Sequence, residues 1–190
     1  MAIEIENITL LEYHEIPEDS ELRREYDFAI KYGKTYNSPR DVFEVGDFTE
    51  QTFGFIKDIQ QDYQGVLKWD TILEYIKKLT GKDFKEIAKY KLLAICRFNA
   101  YIISEINRIN EIESNLLGHI ATADEERAGI KNFSKFGAYP QLRKLAKEDL
   151  TKIEEVKNLP YSLCLLELHF SKIENEYKEN LIKIQSEKNG

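Results

Sequence analysis

Between Leu92 and Leu116 the chain carries Leu92, Ile95, Cys96, Tyr101, Ile102, Ile106, Ile109, Ile112 and Leu116, with neither Gly nor Pro before Gly118. Apolar residues that recur every three to four positions over such a length form one face of a helix of about seven turns and do not fit a strand. A long helix over roughly 90–117 therefore fixes the class of the fold. Only the opening residues depart from this period: Ile3, Ile5 and Ile8 alternate with polar neighbours, which predicts a short strand or an extended arm within residues 1–18, and nothing later reads as a strand to pair with it.

The same period runs through the rest of the chain. After Pro17, Asp19 or Ser20 can cap a helix of about four turns that carries Leu22, Tyr26, Ala29 and Ile30 and ends near Gly33. Ser38-Pro39-Arg40-Asp41 reads as a turn, and Asp47 as the cap of a helix with Phe48, Thr52, Phe55, Ile56 and Ile59 that Gly65 breaks. Trp69, Ile72, Leu73, Ile76 and Leu79 mark another helix, closed by Thr80-Gly81. Thr122 with Glu125, and Thr151 with Glu154, have the spacing of capping boxes, in which each side chain satisfies the other residue's backbone N–H. The first of these predicts a helix through Phe136 with Ala128, Phe133 and Phe136 turned inward and a stop at Gly137. Pro140 suits the first turn of a short helix over QLRKLA.

The last element starts at Pro160. Leu163, Leu166, Phe170, Ile173, Tyr177, Asn180 and Ile184 recur at alternating steps of three and four, a heptad seam of about three repeats in a helix over 160–185. Leu163, Leu166, Phe170, Ile173 and Tyr177 are the candidate interaction residues. Packing of this seam within the chain is the stronger expectation and contact with a protein partner or a second copy the weaker one. The tail QSEKNG is polar and is expected to fray.

A chain of 190 residues with 42% hydrophobic and 32% charged residues can bury roughly 70% of its unfolded surface and needs no metal or disulfide to hold it together. The expectation is a single all-α domain over 1–190, an irregular multi-helix bundle of six to eight helices with two long ones. Net charge is -7, so the overall field repels phosphate backbones and nucleic acid is an unlikely partner. Cys96 and Cys164 both lie in apolar stretches, where a thiol behaves as a small hydrophobe, and a reducing cytoplasm suits them best. An acidic N-terminus and short apolar runs predict neither secretion nor membrane insertion.

His14 and His169 follow Glu12 and Glu167 by two, a step that sends side chains to different helix faces, and His119 stands beside Gly118; no metal site is expected. The nine glycines are scattered singly, and Gly81-Lys82-Asp83 is only a fragment of a phosphate-binding loop, so no cofactor is expected. Asp124-Glu125-Glu126 and Glu154-Glu155 could serve a carboxylate-dependent enzyme, but acids crowded into a first helical turn are better read as partners of the helix dipole. Basic residues with interleaved aromatics at 131–147, and the pairs Arg23-Arg24 and Lys77-Lys78, are the candidates for nucleic-acid contact. The turn Leu79 to Phe84 has a slight helix-turn-helix look without a matching recognition helix.

Residues 125–177 include a short acidic helix, the step Leu159-Pro160-Tyr161 and a polar helix with Glu174 to Tyr177 near its end. In these features the region resembles small helical proteins of tailed-phage structural modules, tail assembly chaperones among them. The resemblance implies a non-enzymatic part in virion assembly, as a chaperone for another structural protein or a head–tail component, in the host cytoplasm or the virion. The alternative expectation is a small nucleic-acid-associated regulator working through 131–147.

Overall fold

A computed structural model of the chain describes residues 8–32, 43, 45–63 and 69–189. The fold is all-α, with helices α1 (Leu10–Glu15), α2 (Glu21–Tyr32), α3 (Phe53–Asp62), α4 (Trp69–Thr80), α5 (Phe84–Ile87), α6 (Leu92–Leu117), α7 (Ala123–Arg127), α8 (Tyr139–Leu145), α9 (Ile153–Lys157) and α10 (Tyr161–Asn189). Tighter 3-10 turns occupy Phe48–Glu50, Ile130–Phe136 and Leu150–Lys152. Both long helices lie where the periodicity puts them. The expected fraying tail is instead helical to Asn189, since Gln, Glu and Lys are good helix formers and no Gly or Pro interrupts them.

The described residues cluster into two compact units, those within 1–46 and 63–105 and those within 47–62 and 106–190. The division between 105 and 106 falls inside α6, with no Pro- or Gly-rich linker to betray it.

In the first unit, Leu10–Glu15 is helical where an extended arm was expected. Thr9 Oγ1 accepts from the Glu12 N–H at 3.2 Å and Glu12 Oε2 from the Thr9 N–H at 2.7 Å, a capping box that starts α1 and lets Leu10 and Tyr13 become buried. Ile3 and Ile5 lie outside the described residues. Thr9 forms an antiparallel bridge with Lys91, so Leu10 donates to the Tyr90 carbonyl at 3.0 Å and Leu92 to that of Ile8 at 2.8 Å. Each bond satisfies a first-turn N–H that its own helix cannot serve.

Ser20 Oγ caps α2 by accepting from the Arg23 N–H at 3.0 Å. Tyr26 is buried as expected, but Leu22 is exposed and its place inside is taken by Arg23, whose guanidinium lies 3.7 Å over the Tyr13 ring. Arg23 Nη1 donates to the carbonyls of Tyr13 and Ile16 at 2.8 and 3.3 Å, so it closes the end of α1 and is no surface partner of Arg24. The side chains of Ala29 and Ile30, Gly33 and the Ser38 to Asp41 turn lie outside the described residues. In α4, Ile72, Leu73 and Ile76 are buried, as is Tyr75, and Gly81 ends the helix with φ +69°, a conformation that glycine adopts without penalty. Asp83 and Glu86 cap α5, which at four residues is too short to be a recognition helix. Leu92, Ile95, Phe98 and Ile102 of α6 are buried, and Phe43 packs on Tyr90 and Phe98 with ring centroids 4.6 and 4.8 Å away.

The second unit repeats the bridge device. The helix expected from Asp47 is split, because Asp47 caps only the 3-10 turn and Gln51-Thr52 are then drawn into a bridge between Thr52 and Pro160. Phe53 donates to the Leu159 carbonyl and Tyr161 to that of Gln51, each at 2.8 Å, so one isolated bridge starts both α3 and α10. Phe53, Ile56 and Ile59 of α3 are buried with Ile106 and Ile109 of α6, while Gly65 lies outside the described residues. Gly54 permits the close approach of α9: a Cβ there would stand 3.0 Å from Lys157 Cβ.

The Thr122 and Glu125 capping box is present, but α7 ends after Arg127 and a 3-10 turn follows. Phe133 and Phe136 are exposed there, contrary to their expected core positions, as is Ala128. Pro140 stands in the first turn of α8, as its chemistry predicts. Thr151 and Glu154 form no capping box. Asp149, missed as a cap, accepts from the Thr151 N–H and hydroxyl at 3.0 and 2.6 Å, and Glu154 pairs with Lys157 instead. The acids at 124–126 and 154–155 do occupy first turns, of α7 and α9.

Candidate functional site

The start of α10 is held by a polar cluster set among apolar side chains. Lys57 Nζ of α3 donates to both Glu113 carboxylate oxygens of α6, at 2.6 and 2.8 Å, and the Tyr161 hydroxyl of α10 donates to Glu113 Oε1 at 2.6 Å. The Tyr161 ring is stacked with that of Phe53, centroids 6.1 Å apart. Burial pulls the Lys57 ammonium below its usual range, against the opposing pull of Glu113, and burial together with that carboxylate pushes the Tyr161 hydroxyl well up. Sequence reasoning passed over this cluster. Its signal was Glu113 itself, which continues the buried face Ile102, Ile106, Ile109 by one more step of four.

Tyr161, Cys164 and Leu168 form the buried face of α10. The heptad seam faces the other way: Leu163, Leu166, Phe170, Ile173 and Tyr177 are 51–64% exposed, and Ile184 is 50% exposed. The expectation that the seam packs within the chain is thus corrected. Inward positions were taken by the 161, 164, 168 register, which places Tyr161 on Glu113 and Phe53 and leaves the longer seam uncovered. Beyond Lys172, whose ammonium donates to the Leu116 and Gly118 carbonyls at 3.3 and 2.8 Å and so closes the end of α6, residues 173–188 are all exposed. That stretch is about 24 Å of helix.

A cleft of about 400 Å³ lies along another face of α10, between Leu117, His119, Gln141, Lys144, Leu168 and Lys172. Gln141 Oε1 is buried there without a hydrogen-bond partner, and His119 Nε2 is 2.9–3.0 Å from the Glu125 carboxylate. Heptad register puts Leu168 and Lys172 at positions away from the seam.

The basic segment presents Phe133, Phe136 and Tyr139 to solvent, 63, 52 and 42% exposed. Lys131 is paired with Glu126 at 3.0 Å, Arg143 with Glu148, and the Lys135 ammonium lies 5.3 Å from the Phe136 ring centroid. Neither cysteine is in a disulfide, and burial pushes the Cys96 thiol up to about 12 and that of Cys164 to about 11, far from the range of a nucleophilic thiolate. Among the described residues no three His, Cys, Asp or Glu side chains converge as a metal site would require, and no helix is long and apolar enough to cross a membrane. Family models, curated proteins and solved structures were all compared with the chain, and none matches it.

Proposed function

We propose that this chain is a non-enzymatic protein–protein interaction factor that docks through the seam of α10. The observation that carries the reading is the uncovered heptad stripe Leu163, Leu166, Phe170, Ile173 and Tyr177 on a helix rooted at its other face by Tyr161, Cys164 and Leu168. Free energy falls when another surface covers a row of large apolar side chains held in water. The resemblance of residues 125–177 to proteins of tailed-phage structural modules supports placing that docking in virion assembly, as a tail assembly chaperone or head–tail component. Replacing Ile173 by a photoreactive benzoylphenylalanine in the cell of origin tests the reading. Irradiation is expected to trap a protein adduct from position 173 and none from the exposed Asn158; no adduct from 173 overturns it.

A second reading, a nucleic-acid-associated regulator, is favoured by the exposure of Phe133, Phe136 and Tyr139, whose rings are available for stacking on unpaired bases in a segment that also exposes Lys144 and Lys147. Retardation of single-stranded DNA or RNA that weakens steeply with salt and is lost in Phe133→Ala/Phe136→Ala supports it. No retardation at low salt ends it.

A further inference from the structure

The flanks of the seam carry an asymmetric charge pattern. With Leu163, Phe170, Tyr177 and Ile184 at heptad position a, and Leu166, Ile173 and Asn180 at d, the positions beside the stripe are Glu167, His169, Glu174 and Glu176 in the first half and Leu181, Lys183 and Lys188 in the second. The ionised flanks are acidic before Tyr177 and basic after it. We infer that the occupant of the seam is a second copy of this chain, its α10 lying antiparallel to the first; this rests on the seam being the docking surface.

Sliding one helix along an antiparallel copy leaves one register in which the charged flanks that meet are of opposite sign, with Phe170 lying against the aliphatic stem of Glu187, the next residue of the d row. Ile173 then faces Ile184 of the second copy and Tyr177 faces Asn180, while Glu167 meets Lys188 and Glu176 meets Lys183. By two-fold symmetry every one of these contacts occurs twice. A parallel, in-register pair would instead set Lys183 beside Lys188 and gather all the acids at one end, a like-charge arrangement. Phe170, Ile173, Tyr177, Leu181 and Ile184 are 38–64% exposed. At about 100 Å² of uncovered surface each, they supply about 1,000 Å² over both copies before the stems of Glu176, Lys183 and Lys188 are added, which reaches the size of a specific interface.

The test uses the full chain at about 100 µM. Light scattering is expected to give twice 22.3 kDa. Under mild oxidation Ile173→Cys/Ile184→Cys should form a disulfide-linked pair of chains, with residue 173 bonded to residue 184 by peptide mass mapping, while Ile173→Cys and Ile184→Cys alone should not. Lys183→Glu should raise the dimer dissociation constant about tenfold, and Glu176→Lys/Lys183→Glu should restore it. All the altered side chains are exposed, so circular dichroism should be unchanged. Cross-linking by Ile173→Cys alone marks a parallel pair and overturns the proposal, as does a mass of one chain or of more than two. In the one-chain case the photo-adduct at position 173 separates the two failures. An adduct with a different protein removes the second copy and keeps the seam; no adduct removes both.

Discussion

Lys57 Nζ sits 2.6 and 2.8 Å from the two oxygens of Glu113, and this pair joins α3 to the later half of α6 with both side chains less than a fifth exposed. Its role is exposed by removing the charge and leaving the shape. Glu113→Gln keeps an oxygen for the Tyr161 hydroxyl but leaves the Lys57 ammonium buried without a counter-charge, at an expected loss of about 2–4 kcal/mol in urea unfolding followed by circular dichroism. Lys57→Met/Glu113→Gln, which removes both charges and keeps an acceptor for the Tyr161 hydroxyl, should recover most of that loss. If the double variant is no more stable than the single one, the cluster acts through something other than paired burial.

Arg23 does for the first unit what its sequence neighbours cannot. Its guanidinium serves two carbonyls at the end of α1 and covers the Tyr13 ring, so Arg23→Met is expected to cost about 1–3 kcal/mol by taking the guanidinium donor from the Ile16 carbonyl, leaving the Tyr13 carbonyl to the Ile16 N–H alone, and uncovering the ring. Trp69, 5.8 Å from Tyr13 between ring centroids, is the only tryptophan and makes the change readable as an earlier fluorescence transition in urea. An unshifted transition would count against Arg23 as the closing residue of α1.

Glu125 gives a pH signature. The Thr122 N–H, His119 and the Thr122 hydroxyl hold its carboxyl down at about 2, against an ordinary 4.5. A folded-state value below the unfolded one means that the cap contributes fully above pH 4.5 and is lost as pH falls through that window toward 2. The amide resonance of Thr122, followed by NMR, should move with a midpoint near 2. A midpoint near 4.5 would show that the carboxylate makes no persistent cap.

The two long helices, the Thr122 cap and the Pro160 start of α10 were legible because each depends on near neighbours: period, cap spacing and helix breakers. What escaped depends on contacts distant in sequence. The break between Phe48–Glu50 and α3 comes from a bridge to Pro160, more than a hundred residues on, and α1 replaces an arm through a Thr9 to Glu12 cap that the Ile3, Ile5, Ile8 alternation overshadowed. The seam was read correctly as a heptad stripe and assigned to the wrong environment. Helix α10 carries two apolar registers, and only the match of Tyr161 to Glu113 and Phe53 decides which of them turns inward.

The segment 131–147 shows the same ambiguity in miniature and gives the sharpest contrast in stability. Phe133 and Phe136 looked like core aromatics and are more than half exposed, whereas Leu142, on the short helix after them, is buried. Phe133→Ala should therefore change stability by no more than about 0.5 kcal/mol, the range of surface substitutions, while Leu142→Ala should lose about 2–5 kcal/mol through the cavity it opens. Urea unfolding of the two single variants beside the parent decides between the assignments. If Phe133→Ala proves the more damaging of the two, the 3-10 turn at Ile130–Phe136 is packed inward, and the stacking surface on which a nucleic-acid reading depends does not exist.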